Sequence, residues 1–459
     1  MTQLNDIRGI PTTVSNQKAL DLYEKALVQL HSYKGDPVET VDEAIAEDPG
    51  FVMAHCLRAH CGSAMADGEF SEHLRESLAG AEAVADHGND REKKHVAAIR
   101  AWLDGNFKES VDILESILIG CPLDILALQI AHLSDFYLGD ANNLRDRVAR
   151  VLTAYDEATP GYGYLLGMYA FGLEECNEYS RAEEVGHQAL EISAGDVWAI
   201  HAVAHVLEMQ GRQQEGIHLY ESRETDWAPD NGFAVHNWWH LALFYLDLQN
   251  YDRVLEIYDA SIADGTVALE MLDASALLWR LKLMEVDVGD RWVNLADKWE
   301  ETIPNTGFYP FNDCHAIMSF IGAGRDAAAK EMMDRLNRYA EGDNMSAWMV
   351  REVGLPLANA LTAYGRGDYA ETAGLLADIR YTANRFGGSH AQRDLISQTL
   401  IEAAIRANQL NFARALLSER ARRKDTAALT WQNTARVLEG LRLQEEADNA
   451  HRRASALLN

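Results

Sequence analysis

The chain is predicted to be all-α, a superhelical solenoid built from helix pairs stacked in sequence. Two broad observations predict this. Apolar residues recur at i, i+3, i+4 and i+7, the pattern of amphipathic helix, with Leu, Ala, Glu and Arg, all strong helix formers, predominating. Only nine prolines interrupt the 459 residues, and no long alternating segment reads as strand. A third observation, a repeated small-residue, turn and aromatic signature, identifies the unit.

The signature appears first at Gly105-Asn106-Phe107, which leads to Ser110. It recurs at Asn177-Glu178-Tyr179 leading to Ala182, Gly211-Arg212-Gln213 to Gly216, Asn250-Tyr251 to Val254, Gly367-Asp368-Tyr369 to Thr372, and Asn411-Phe412 to Ala415. Ala98, Ala170, Ala204, Ala242, Ala360 and Ala403 lie in the preceding helices, at a constant offset before each seam position. Each residue type has a task. The small residue lets the second helix approach, Gly or Asn breaks the chain between the two, and the aromatic fills the seam. A helix–turn–helix unit of about 34 residues is the tetratricopeptide repeat. The signature is weakest over residues 264–345, where degenerate units are expected. The turn-rich segments 307–313 and 384–390 mark the strongest internal breaks. No flexible linker separates the units, so residues 1–459 are expected to form a single repeat domain.

Composition narrows function. With 71 acidic and 41 basic residues, the net charge is -30, which is expected to repel phosphate backbones and anionic membrane surfaces and so to exclude nucleic acid and membrane as partners. The five cysteines, Cys56, Cys61, Cys121, Cys176 and Cys314, form no C-x-x-C pair. They are expected to be free thiols in a reducing compartment. No apolar run reaches the length of a spanning helix, and residues 1–13 lack the organisation of a signal peptide. A cytoplasmic protein is expected, with a homo-oligomer left open.

Five stretches carry a more specific likeness: HAVAHVLEMQGR (201–212), HNWWHLALFYLD (236–247), MLDASALLWRL (271–281), FNDCHAIM (311–318) and GGSHAQRD (387–394). On these, and on the repeat texture from about residue 15 onward, the chain resembles the tetratricopeptide repeat protein 38 family. The resemblance implies the helical-repeat fold and carries over no activity, cofactor or catalytic residue.

Four of the five stretches contain histidine: His201, His205, His236, His240, His315 and His390. The fifth contains Asp273. Spacings of four and three place His201, His205 and Glu208 on one face of a first helix, and His236 and His240 repeat the four-residue spacing on the next. First helices of such arrays line the concave side. At least four of the six histidines are therefore expected in one cavity, with Glu208, Asp313, Asp273, Arg393 and Asp394 near them and Tyr164, Phe171, Trp198, Trp239 and Phe311 as aromatic walls.

Paired histidines at i, i+4 can share one metal ion. Here His201, His205, His236 and His240 are the candidate ligands. Neither pair is H-E-x-x-H, since Ala202 and Asn237 stand where that motif has glutamate. An imidazole and carboxylate set without thiolate suits Zn, Mn or Fe. The same groups without metal suit direct acid–base work. Taken singly, a helix histidine is more often a packing or surface residue than a ligand. His55, His60, His73, His87, His95, His132, His187 and His218 are read as structural, and His31 and His451 as exposed near the termini. The basic run over residues 420–424 reads as a solvated helix face. P-loop, dinucleotide-binding glycine and nucleophile-elbow patterns are absent from the sequence.

Two readings remain open. In one, a closed cavity holds a small molecule beside the histidines, with or without a divalent metal, for acid–base or hydrolytic chemistry. In the other, an open groove grips a peptide or partner helix without catalysis.

Overall fold

The structure, a computed structural model, describes residues 3–458. It is an all-α superhelix of antiparallel helix pairs, preceded by a short hairpin of Gln3–Asn5 against Pro11–Thr13 that sequence reasoning missed. The signature marks real pairs: Asp90–Leu103 with Phe107–Gly120, Tyr162–Glu175 with Tyr179–Ile192, Val197–Gln210 with Gln213–Ser222, Leu355–Arg366 with Tyr369–Ile379, and His390–Arg406 with Leu410–Arg423. The pair beginning at Ala234–Asp247 continues through Tyr251–Ile257 into a wide turn at Tyr258–Ile262.

The alanines at the repeated position, Ala98, Ala170, Ala204, Ala242, Ala360 and Ala403, are all fully buried, as close helix approach requires. In two units the small seam residue also hydrogen-bonds to a carbonyl of the preceding helix. Ser110 Oγ donates to the Ala98 carbonyl at 2.8 Å and Thr372 Oγ1 to that of Ala360 at 3.2 Å. Each signature turn holds one left-handed residue, at Gly105, Asn177, Gly211, Gln249, Gly367 and Asn408, the conformation that ends helices. The stretch 264–345, weak in signature, still folds as two regular pairs, Ala268–Leu283 with Arg291–Thr302 and Pro310–Ala323 with Asp326–Tyr339.

The superhelix meets itself after one turn. Asn231 Nδ2 donates to the Ser32 carbonyl, 199 residues away. Asn384 Nδ2 donates to the Gly139 carbonyl, 245 residues away, and the Ser346 amide donates to the Gly105 carbonyl at 3.1 Å. These separations correspond to about six or seven repeats of 34 residues. Gly139 shows how close the turns come: a Cβ there would lie 1.8 Å from the Asn384 carbonyl oxygen. The groove expected from the repeat is thereby closed into an interior.

Closure corrects the placement of His31. It is 4% exposed rather than solvated. The last turn of Gln17–Ser32 plugs the inner face, where His31 Nδ1 meets Gln129 Oε1 at 3.1 Å and its ring packs on Tyr164 at 5.4 Å. All five cysteines are free. No helix among the described residues is long and apolar enough to cross a membrane.

Helix packing at this density tests directly. In Tyr162–Glu175, a Cβ at Gly172 would lie 2.5 Å from the Leu144 carbonyl oxygen and 2.6 Å from the Arg145 amide, both backbone atoms. A Cβ at Gly374, in Tyr369–Ile379, would meet nothing within 4 Å. Urea melts should show Gly172→Ala losing about 2 kcal/mol or more, whereas Gly374→Ala should be neutral or gain up to ~1 kcal/mol from helix propensity.

Candidate metal centre and adjoining cavity

The centre is assembled from consecutive first helices. Val197–Gln210 supplies His201 and His205, and Ala234–Asp247 supplies His236 and His240. The 35-residue offset between His201 and His236 puts them at equivalent places in neighbouring repeats, so their rings face each other across the stack. His205 Nε2 lies 2.8 Å from His201 Nε2, His201 Nε2 lies 3.1 Å from His236 Nε2, and His236 Nε2 lies 3.2 Å from His240 Nε2. One nitrogen from each of the four lies within 4.8 Å of all the others.

Carboxylates stand behind three of these rings. Asp273, on Ala268–Leu283, accepts a hydrogen bond from His236 Nδ1 at 2.7 Å. Glu208 Oε2 faces His240 Nδ1 at 3.3 Å, and Glu174 Oε2 faces His205 Nδ1 at 3.5 Å. Nδ1 of His201, His205 and His240 is in each case buried without a hydrogen-bond partner, and no carboxylate faces that of His201. Glu174 and Glu208 are 34 residues apart and hold equivalent positions in successive units.

Proton counting shows what this arrangement lacks. Each Nε2 carries either one proton or one lone pair. Along the row His205, His201, His236, His240, at most two of the three contacts can be hydrogen bonds. The bond to Asp273 places a proton on His236 Nδ1, so that a neutral His236 would leave its Nε2 bare between two neighbours. A cation at the centre would satisfy all four nitrogens at once. Ligand atoms about 2.0–2.1 Å from a tetrahedral ion are separated by about 3.3 Å, close to the spacings found. Carboxylates behind ligating imidazoles are the usual outer support of such sites.

Electrostatics favour the neutral, ligating form. Burial, with the neighbouring histidines adding to it, drives His201 and His240 well below the usual imidazole range. Burial lowers His205 to about 4 against the pull of Glu175 and Glu208. Glu174 is raised well above the carboxylate range by burial and by the charges of Glu175 and Glu208, and neither of its oxygens has a hydrogen-bond partner.

Aromatic rings enclose the cluster. Phe171, Trp198 and Phe233 lie 5.2, 5.2 and 5.1 Å from the His201 ring. Trp239 stacks on His236 at 5.3 Å and carries the Arg280 guanidinium at 5.5 Å. His201 and His236 border a cavity of about 650 Å³ whose walls include Tyr33, Phe136, Tyr137, Phe171, Trp198, Phe233 and Gln392. That volume is in the range of small-molecule sites.

Other residues named from sequence lie elsewhere. His390 starts the His390–Arg406 helix, where its amide donates to Glu175 Oε1 at 2.7 Å, and Arg393 Nη2 reaches the same carboxylate at 3.1 Å. Glu175 thus caps that helix, and His390 adds no nitrogen to the cluster. Asp394 pairs with Arg420. Asp313 accepts from the Gly307 amide at 3.0 Å and organises the start of Pro310–Ala323. His315 Nδ1 donates to the Phe311 carbonyl at 2.8 Å, and the Phe311 ring packs on Tyr309, His315 and Phe386. The turn before Phe311 therefore directs these residues into packing at a corner. Tyr164 packs on His31 and does not line the cavity.

The basic run also needs correction. Lys424 is 7% exposed; its Nζ donates to Glu208 Oε1 at 3.1 Å and lies 3.9 Å from Asp247. Arg420 and Lys424 turn inward because Asp394, Glu208 and Asp247 await them across the closed superhelix, while Arg422 and Arg423 remain exposed. Sequence reasoning missed Glu174, Glu175, Arg280 and Lys424; repeat spacing from Glu208 would have found Glu174. His60 and His95 form a buried chain to Asp124, with contacts of 3.2 and 3.1 Å.

No family model matches this chain. Among solved structures, a human IFIT1 dimer with PPP-AAAA matches at 14% identity over 97% of this chain and 96% of that one, with TM-score 0.41. A human IFIT1 dimer with m7Gppp-AAAA matches at the same identity and coverage, with TM-score 0.42. Yeast Tom70 matches at 13% identity over 96% of this chain and 92% of that one, with TM-score 0.32. The likeness is one of fold, the tetratricopeptide-like helical solenoid. The exclusion of nucleic acid drawn from net charge is withdrawn, since the IFIT1 structures hold PPP-AAAA and m7Gppp-AAAA.

A pH test isolates one buried histidine outside the cluster. Burial lowers His315 from 6.5 to about 4, and its Nε2 has no partner. The unfolded chain therefore takes up this proton first, so stability is full above pH 6.5 and is lost as pH falls toward 4. Relative to His315→Gln, the wild type should lose up to about 3 kcal/mol over that window, read from urea melts at stepped pH. A constant difference would show that His315 does not titrate this way.

Proposed function

We propose that this chain is a single-domain member of the tetratricopeptide repeat protein 38 family that works in the cytoplasm. Its closed interior holds one divalent metal ion and binds a small, largely apolar molecule beside it for acid–base or hydrolytic chemistry. The observation that carries this reading is the convergence of four imidazole nitrogens, three on buried rings and the fourth on half-buried His236, with fewer protons than contacts. His201, His205, His236 and His240 would hold the ion, and Glu174, Glu208 and Asp273 would offset its charge and orient the rings. A nitrogen-only set at tetrahedral spacing suits zinc best. Bound there, the ion would polarise a carbonyl or lower the pKa of a bound water. The residues would do the rest: the aromatic walls would position an apolar body, and Lys424 pairs with Glu208 beside His240.

A second reading, a non-catalytic scaffold gripping a peptide or partner helix, is supported by the solenoid fold itself. The contacts that close the superhelix weigh against it, because they interrupt the long continuous groove that such a partner would need.

Zinc titration separates the two. Metal-stripped protein should take up one equivalent of Zn²⁺ per chain, and at a hundredfold excess over Kd stability should rise by about 2.7 kcal/mol. Mass spectrometry and thermal melts would read both. A chain that binds no stoichiometric metal at neutral pH would leave only the scaffold.

A further inference from the structure

We infer that the centre is a three-histidine platform with one exchangeable position: His205, His236 and His240 hold the ion permanently, and His201 yields its place to an oxygen ligand from the cavity. This rests on the metal reading above and deepens it by separating ligands that the sequence motif presents as equals.

The first argument is the asymmetry behind the rings. Asp273, Glu208 and Glu174 lie 2.7, 3.3 and 3.5 Å from Nδ1 of His236, His240 and His205. A carboxylate in this position restrains ring rotation and makes the imidazole a better donor. Only the His236–Asp273 contact is a hydrogen bond, and Nδ1 of His205 and of His240 is unbonded like that of His201, but those two rings face a carboxylate within 3.5 Å and His201 faces none. Its ring is held only by Phe171, Trp198 and Phe233 and by the other histidines. Dispersion contacts are weak individually and have no preferred direction, so they oppose rotation less than a carboxyl group facing the ring nitrogen does.

The second argument is access. Of the four, only His201 and His236 border the cavity, and His236 is tied to Asp273. His201 is thus the one ligand that borders the cavity with no carboxylate behind its ring. The Trp198 indole N–H beside it is buried without an acceptor. An incoming carbonyl or hydroxyl oxygen that displaced His201 would find a donor there. The chemical class that fits is a neutral molecule with one such oxygen and an apolar or aromatic body. Four fixed imidazoles would close the coordination sphere, as in structural sites, whereas three leave the open position that catalytic zinc uses.

The test uses full-length protein, Zn²⁺ and Co²⁺ as metals, and azide as the probe of an open position. His201→Ala should bind Zn²⁺ within about tenfold of wild type in competition with a chelator. His205→Ala, His236→Ala and His240→Ala should each weaken binding by a hundredfold or more. Co²⁺-loaded wild type should change its visible spectrum on azide addition while retaining the metal, and His201→Ala should respond at lower azide. If His201→Ala loses Zn²⁺ as severely as the other three, the exchangeable role is wrong, although the metal centre stands because wild type still binds one equivalent. If wild type binds no metal, the underlying reading fails and this one with it. Circular dichroism checks each variant's fold. Should a variant misfold, the wild-type azide titration decides alone: a spectral change supports the inference, and an unresponsive Co²⁺ site overturns it.

Discussion

The closure of the superhelix is the constraint from which the interior chemistry follows. An open solenoid would leave the inner faces of its first helices in water, where paired histidines and glutamates would be solvated and unremarkable. Here the chain returns on itself, and the Gly139–Asn384, Gly105–Ser346 and Ser32–Asn231 contacts seal one turn onto the next. The Lys424–Glu208 pair crosses the same interior and spans 216 residues. Burial then makes every unsatisfied polar atom costly, and the cluster must be judged by how its charges and protons balance.

That balance is uneven in an informative way. Towards the C-terminal side, Arg420 with Asp394, and Lys424 with Glu208 and Asp247, form a paired ionic layer. Towards the histidines, Glu174 has no hydrogen-bond partner, His201 Nδ1 has none, and Nε2 of a neutral His236 would be bare between two neighbours. Buried polar groups in folded proteins are nearly always satisfied. The exceptions on Glu174, His201, His205, His240, Glu208 and Asp273 surround one point, where a cation would answer them together. The 650 Å³ cavity next to that point, walled by aromatic rings, gives it something to act on.

Much of this was legible in sequence because the repeat is local. The six buried alanines and the left-handed turn residues could be read from spacing alone, since they answer contacts within one unit. The i, i+4 spacing likewise fixed the shared face of His201 and His205 and of His236 and His240. What spacing could not supply was how far the array curls, because small rotations per repeat accumulate over many units. Lys424 therefore read as surface and His31 as exposed, although both are buried by contacts that depend on the curl. The turns before Phe311 and His390 were visible as bends, but their direction was not. One sends His315 into a packed corner, and the other sets His390 on Glu175, next to the cluster but outside it.

Anomalous diffraction from crystals grown with Zn²⁺ tests the central claim most directly. The account expects a single strong peak about 2.0–2.1 Å from Nε2 of His205, His236 and His240, with Asp273 still on His236 Nδ1. Maps with no peak there, and the four imidazoles joined only to one another or to water, would contradict it.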